Sequence, residues 1–138
     1  MYLIPTDEVE KILMHVEAAF PREASGLLLR REFKQFTLLS VVGTPIEENT
    51  PLSFRIRGAG IKKIAESLRG SGTRTCGCFH SHVVGGACPS RRDCAARKEP
   101  GDLWLIYSVR FRNLNLFRWD GKRFKRERFL IIPSLSTP

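Results

Sequence analysis

The sequence predicts an α/β protein built on a mixed β-sheet flanked by helices. Two stretches carry apolar residues at the three-and-four spacing of a helix with one buried face. Several short runs rich in β-branched and aromatic residues read as strands. The two kinds of element mix without a regular βαβ alternation, which argues against a purely parallel sheet. The chain has 138 residues, 42% hydrophobic and 27% charged, values that suit one soluble globular domain, 1–138, with a full core.

The elements follow in order. Thr6 is a suitable N-cap for a helix over about 7–19, with Asp7, Glu8 and Glu10 at the positive end of its dipole. Val9, Ile12, Leu13, Val16 and Phe20 would form its buried stripe, His15 lies off that stripe at the surface, and Pro21 ends the helix. Gly26 to Leu29 predicts a central strand and Phe36 to Val42 a second one. Leu52, Phe54 and Ile56 alternate with polar neighbours and predict a third. A second amphipathic helix is expected over 59–68, closed by Gly70-Ser71-Gly72. Thr73 to Phe79 predicts a buried strand, Ser90 to about Arg97 a short helix, and Leu103 to Ser108 another buried strand. Leu114 to Trp119 and Lys122 to Ile132 flank Asp120-Gly121, the signal of a two-residue hairpin, and Pro133 to Pro138 reads as a frayed tail.

The most informative stretch is Cys78 to Asp93, CFHSHVVGGACPSRRD. His80 and His82 follow the buried strand two residues apart, so both point to one face while Ser81 points to the other. Gly85, Gly86 and Pro89 make the next segment a loop that turns the chain back. Ser90 then opens the short helix and Asp93 falls on its first turn. Two imidazoles and a carboxylate brought together this way are donors that a zinc ion accepts. Ser90-Arg91-Arg92-Asp93 also fits a capping box, a purely structural reading of the same residues.

His-x-His, seven residues, then Ser-x-x-Asp resembles the signature of the JAMM (MPN+) zinc metalloproteases. That family places a glutamate upstream in a Pro-x-Glu-x-x-Gly-x-Leu context, which Pro21, Glu23, Gly26 and Leu28 supply here. The resemblance spans about 6–132 and implies the MPN fold, similar to the cytidine deaminase arrangement. It implies Zn²⁺ held by His80, His82 and Asp93, with water in the remaining position. Glu23 is implied as the proton carrier, and Ser90 as hydrogen-bond donor to the oxyanion. The implied reaction is hydrolysis of the amide bond after the C-terminal Gly-Gly of a ubiquitin-like protein, often an isopeptide bond. Two departures stand out. Val83 replaces the usual proline after the second histidine, and only nine residues separate Asp93 from Leu103, too few for the insertion of polyubiquitin-selective members. The compact form is similar to prokaryotic members, so processing of a sulfur-carrier protein is the nearest alternative. The substrate tail is expected between the loop 83–89 and the segment 44–54.

Composition bounds the remaining readings. The net charge is +9, and Val109 to Arg128 carries eight basic residues against two acidic ones, a local +6. Such a run steers acidic partners or nucleic acid, but its aromatics sit at strand spacing and suit a core, so nucleic-acid binding is the lesser reading. A non-catalytic MPN scaffold is a further alternative, opposed by the full ligand set. Cys76, Cys78, Cys88 and Cys94 are expected to be free thiols rather than ligands or disulfides. No apolar run reaches the ~18–20 residues of a membrane span, and the N-terminus lacks the pattern of a signal peptide, so a cytoplasmic protein is expected. The oligomeric state is left open.

Overall fold

The structure, a computed structural model, describes residues 1–43, 63–64 and 66–134. Its frame is a mixed eight-stranded sheet: β1 (Tyr2–Pro5), β2 (Ser25–Glu32), β3 (Thr37–Gly43), β4 (Thr73–His82), β5 (Leu103–Ser108), β6 (Asn113–Trp119), β7 (Phe124–Glu127) and β8 (Phe129–Ile132). The strand order is β7-β6-β5-β4-β2-β3-β1-β8. β4 pairs with β5 in parallel, as β1 does with both β3 and β8, and the other neighbours are antiparallel. β7 and β8 sit at opposite ends of this order yet are joined through Arg128 alone. The sheet therefore bends enough to bring the end of β7 to the start of β8, although no ladder pairs the two strands.

Helix α1 (Thr6–Ala19) packs against β1 and β3 and covers the larger core, in which Ile4, Ile12, Leu28, Leu39, Phe79 and Leu105 are almost fully buried. Two glycines allow the close approaches on which the central strands depend. A Cβ at Gly26 would lie 2.3 Å from both the Phe79 ring and the Val42 carbonyl oxygen. One at Gly77 would lie 1.7 Å from the Leu103 carbonyl, so only glycine lets β5 join β4 in this register.

Several expectations need correction. Thr6 is the first helical residue rather than the cap: Pro5 occupies the cap position, and the Ser134 hydroxyl receives the Asp7 N–H and bonds the Thr6 hydroxyl, both at 2.9 Å. Ser134 is thus tied to the helix start, while the rest of the expected tail, 135–138, lies outside the described residues. The buried stripe of α1 runs through Glu8, Ile12, Val16 and Ala19, whereas Leu13 and Phe20 face outward. His15 is half-buried, its ring 6.1 Å from that of Phe79 and filling the space beside Gly43. The run 122–132 is two strands, because Arg128 marks the corner between the sheet's two edges. The β6–β7 hairpin has four loop residues, with the Asp120 carboxylate accepting from the Lys122 and Arg123 N–H groups at 2.7 and 2.8 Å. The strand expected at Leu52 to Ile56 lies outside the described residues. So does most of the helix expected over 59–68, although Lys63, Ile64, Glu66 and Ser67 at its end are helical.

Candidate metal centre

The site forms where β4 ends, on the sheet face opposite α1. His80 aligns with Ile106 on β5 and Ile106 with Asn115 on β6, so one register row carries a ligand candidate, an apolar contact and a polar support. After His82 the chain loops to the short helix α2 (Arg91–Ala95), which Ser90 caps. The capping box is real: the Ser90 hydroxyl accepts the Asp93 N–H at 3.1 Å, and the Asp93 Oδ2 accepts the Ser90 N–H at 2.8 Å. The structural reading and the chemical reading of Ser-x-x-Asp therefore coexist. The cap fixes the carboxylate, and Oδ2 still faces the histidines.

His80, His82 and Asp93 come together as a buried group. The two Nε2 atoms lie 3.1 Å apart, and Asp93 Oδ2 lies 3.2 Å from His80 Nε2 and 3.1 Å from His82 Nε2. Tetrahedral coordination at metal–ligand distances of about 2.0–2.1 Å implies ligand–ligand edges of about 3.3 Å. The triangle has the size of one face of such a tetrahedron. The protonation pattern fits as well. Gly86's carbonyl lies 2.9 Å from His82 Nδ1 and can only accept, so Nδ1 carries the proton and Nε2 of the neutral ring is bare. A bare nitrogen beside a carboxylate oxygen is unfavourable without a cation between them. Burial acts against the charged form of His82, but the Asp93 carboxylate and the Gly86 carbonyl outweigh it and raise its pKa, so the Nε2 position calls for a positive charge, whether a proton or a metal ion. Burial likewise acts against ionised Asp93, yet the two histidines and the Ser90 N–H hold its carboxyl far below the usual carboxylate range. The residues fit a divalent, borderline-soft ion.

Supports that sequence reasoning missed hold this group in place. Three consecutive loop carbonyls are each bound by a side chain from a different strand. Ser108 Oγ donates to Gly85 at 2.8 Å, His82 Nδ1 to Gly86, and Asn115 Nδ2 to Ala87 at 2.9 Å. An asparagine buried within the apolar run Leu114 to Phe117 was the available signal. On the opposite face of β4, buried Ser81 accepts the Ala24 N–H at 2.8 Å through its hydroxyl, and its own N–H donates to the Ala24 carbonyl at 3.0 Å. This clamp ties the residue after Glu23 to the strand segment between the two histidines. Glu23 is half-buried and lines a cleft of about 550 Å³ with His82, Ser90 and Asp93. Val83 and Val84 border the same cleft, whereas the expected opposite wall at 44–54 lies outside the described residues. The four cysteines are free; burial pushes the Cys78 thiol well up and Cys76 to about 12, so neither is a ready thiolate.

A family model of prokaryotic homologues of the JAB domain matches residues 5–121. The chain belongs to this family. Among solved structures, this JAB-domain chain resembles a protein of Desulfitobacterium hafniense, with a TM-score of 0.85 at 24% identity over 98% of this chain and 95% of that one. A Salinibacter ruber protein gives a TM-score of 0.68 at 22% identity, over 100% and 95% of the two chains. A JAB1/MPN domain protein of Archaeoglobus fulgidus gives 0.61 at 16% identity, over 95% and 97%. At such identities the likeness is one of fold, and it supports the JAB/MPN assignment. No curated protein matches the chain. No helix among the described residues is long and apolar enough to cross a membrane.

Proposed function

We propose that this JAB-domain protein is a zinc-dependent amide hydrolase acting after the C-terminal Gly-Gly of a ubiquitin-like protein. The observation that carries the proposal is the buried triangle of His80 Nε2, His82 Nε2 and Asp93 Oδ2, with edges of 3.1–3.2 Å beside a cleft that Glu23 also lines. Three protein donors are the mark of a catalytic rather than a structural zinc. Bound there, zinc would supply Lewis acidity, lowering the pKa of water towards about 7. Glu23 accepts a proton from the attacking water and returns it to the leaving amine. Ser90 already accepts from Asp93 N–H, which leaves its own O–H to donate to the oxyanion, a contribution of about 3 kcal/mol in comparable sites. The cleft suits an extended tail. Val84 is exposed at its edge and offers an apolar contact, and glycines at the cut let the backbone approach without side-chain obstruction. The cytidine deaminase-like arrangement and a cytoplasmic setting belong to the same reading.

The test combines metal analysis with cleavage. Protein purified without chelator should contain close to one zinc per chain, lost in Asp93→Ala. It should cut a ubiquitin-like Gly-Gly fusion, with chelator abolishing the activity and zinc restoring it. A sulfur-carrier fusion in the same panel distinguishes the two substrate classes. A folded wild type that binds no zinc, or equal cleavage of Gly-Gly and bulky tails, would overturn the assignment.

A further inference from the structure

We infer that Lys98 is a positioning residue for the metal centre, acting through the backbone of Asp93 and the ring of Trp104. Its ammonium lies 2.8 Å from the Asp93 carbonyl, 2.8 Å from that of Cys94 and 2.6 Å from that of Ala96. An ammonium has three N–H donors, and each finds one carbonyl at the end of α2. Aromatic rings lie around the same group. Nζ is 4.2 Å from the Trp119 ring centre, 5.2 Å from that of Phe124 and 5.5 Å from that of Trp104. All are within the ~6 Å at which a ring face attracts a cation. Trp104 in turn stands edge-on to His80, with ring centres 5.5 Å apart at 89°. One side chain thus touches the main chain of one ligand residue and the ring that packs against another.

This arrangement explains how a helix of five residues holds a ligand. α2 is too short to be stable by itself, and the bonds of its N-terminal cap, from Ser90 to Asp93 and Cys94, stay within its own first turn. Lys98 closes the other end. It gathers the carbonyls of Asp93, Cys94 and Ala96, the first of which otherwise receives, among the described residues, only the 3.3 Å bond from the Ala96 N–H, and anchors them to β5, β6 and β7 through the aromatic box. Loss of the ammonium would release α2 from the sheet and let Asp93 Oδ2 drift from the two Nε2 atoms, while the β-sheet core remained.

The inference rests on the metal reading above, and the experiment separates the two. Zinc affinity is measured by competition with a chromophoric chelator, and ligand geometry by the visible absorption of the cobalt-substituted protein. Both are applied to wild type and Lys98→Met, with circular dichroism as the check on folding. The expected result is a folded variant whose zinc affinity is about 10- to 100-fold weaker, the range found for residues that orient ligands. Its cobalt spectrum should also lose tetrahedral intensity. A residue that merely stabilised the fold would lower the melting temperature and leave both metal readouts unchanged. If Lys98→Met does not fold, Lys98→Arg carries the test, because a planar fork cannot serve three converging carbonyls in the same way. Weakened zinc binding in that variant supports the inference, and wild-type binding overturns it. Wild-type protein that takes up no zinc would instead sink the metal assignment itself, whatever Lys98 does.

Discussion

His80, His82 and Asp93 converge so closely that each makes sense only in the company of the others. Asp93 Oδ2 accepts the Ser90 N–H and faces both imidazoles, and His82 is turned by the Gly86 carbonyl so that its bare nitrogen points inward. Removing one member leaves the others buried and imperfectly paired, a costly state for charged groups. Glu23 differs because it lines the cleft without belonging to the triangle. Its proposed role is proton transfer, and the two roles can be separated experimentally. Glu23→Gln should keep zinc content and melting temperature while kcat falls about 10²- to 10⁴-fold, the usual worth of a positioned acid–base group. Metal analysis alongside steady-state cleavage checks this, and an unchanged kcat would remove Glu23 from the mechanism.

At the level of elements, β4 does two jobs on its two faces. The even positions His80 and His82 carry the candidate ligands, and Ser81 between them holds the segment that carries Glu23. Ser81→Ala would strip the buried Ala24 N–H of its acceptor, an expected loss of about 1–3 kcal/mol in stability by urea unfolding. Because the same bond sets where Glu23 stands, kcat should fall more than zinc affinity. Equal activity in the variant would show that Glu23 is placed by other contacts. The strand-period argument made the side choice of His80, Ser81 and His82 legible in advance, since parity is a local property. Other features were not local. β1 is four residues long, includes Pro5 and gains its pairing only from distant β3 and β8, so nothing nearby marked it. The α1 stripe was misjudged at Leu13 and Phe20 because helical spacing gives a period but not which residues the sheet will cover. The clamps from Ser108 and Asn115 depend on strand register 23 and 28 residues from their acceptors.

Across the whole molecule, positive charge gathers in two places, the run Val109 to Arg128 and the rim of the cleft. The net charge is +9, with most of it in Val109 to Arg128. Part of that run is engaged within the protein: Arg118 pairs with Glu127 at 2.8 Å, Arg126 donates to Asn115 at 2.8 Å, and Lys125 lies 3.8 Å from Asp120. Arg22, Arg91 and Arg92, by contrast, line the cleft itself. On the proposed function, an acidic partner face would match this entrance, and the rest of the +9 would add a longer-range attraction. Raising salt from about 0.1 M to about 1 M shortens the screening length from about 10 Å to about 3 Å. If charge brings the substrate in, KM should rise several-fold over that range while kcat holds, because the proposed chemical step lies at the buried triangle. Arg91→Glu should produce a similar KM increase at low salt, with zinc content intact and a flatter salt dependence. A kcat that falls with salt while KM stays fixed would place the effect on the site, and steering by the cleft arginines would have to be abandoned.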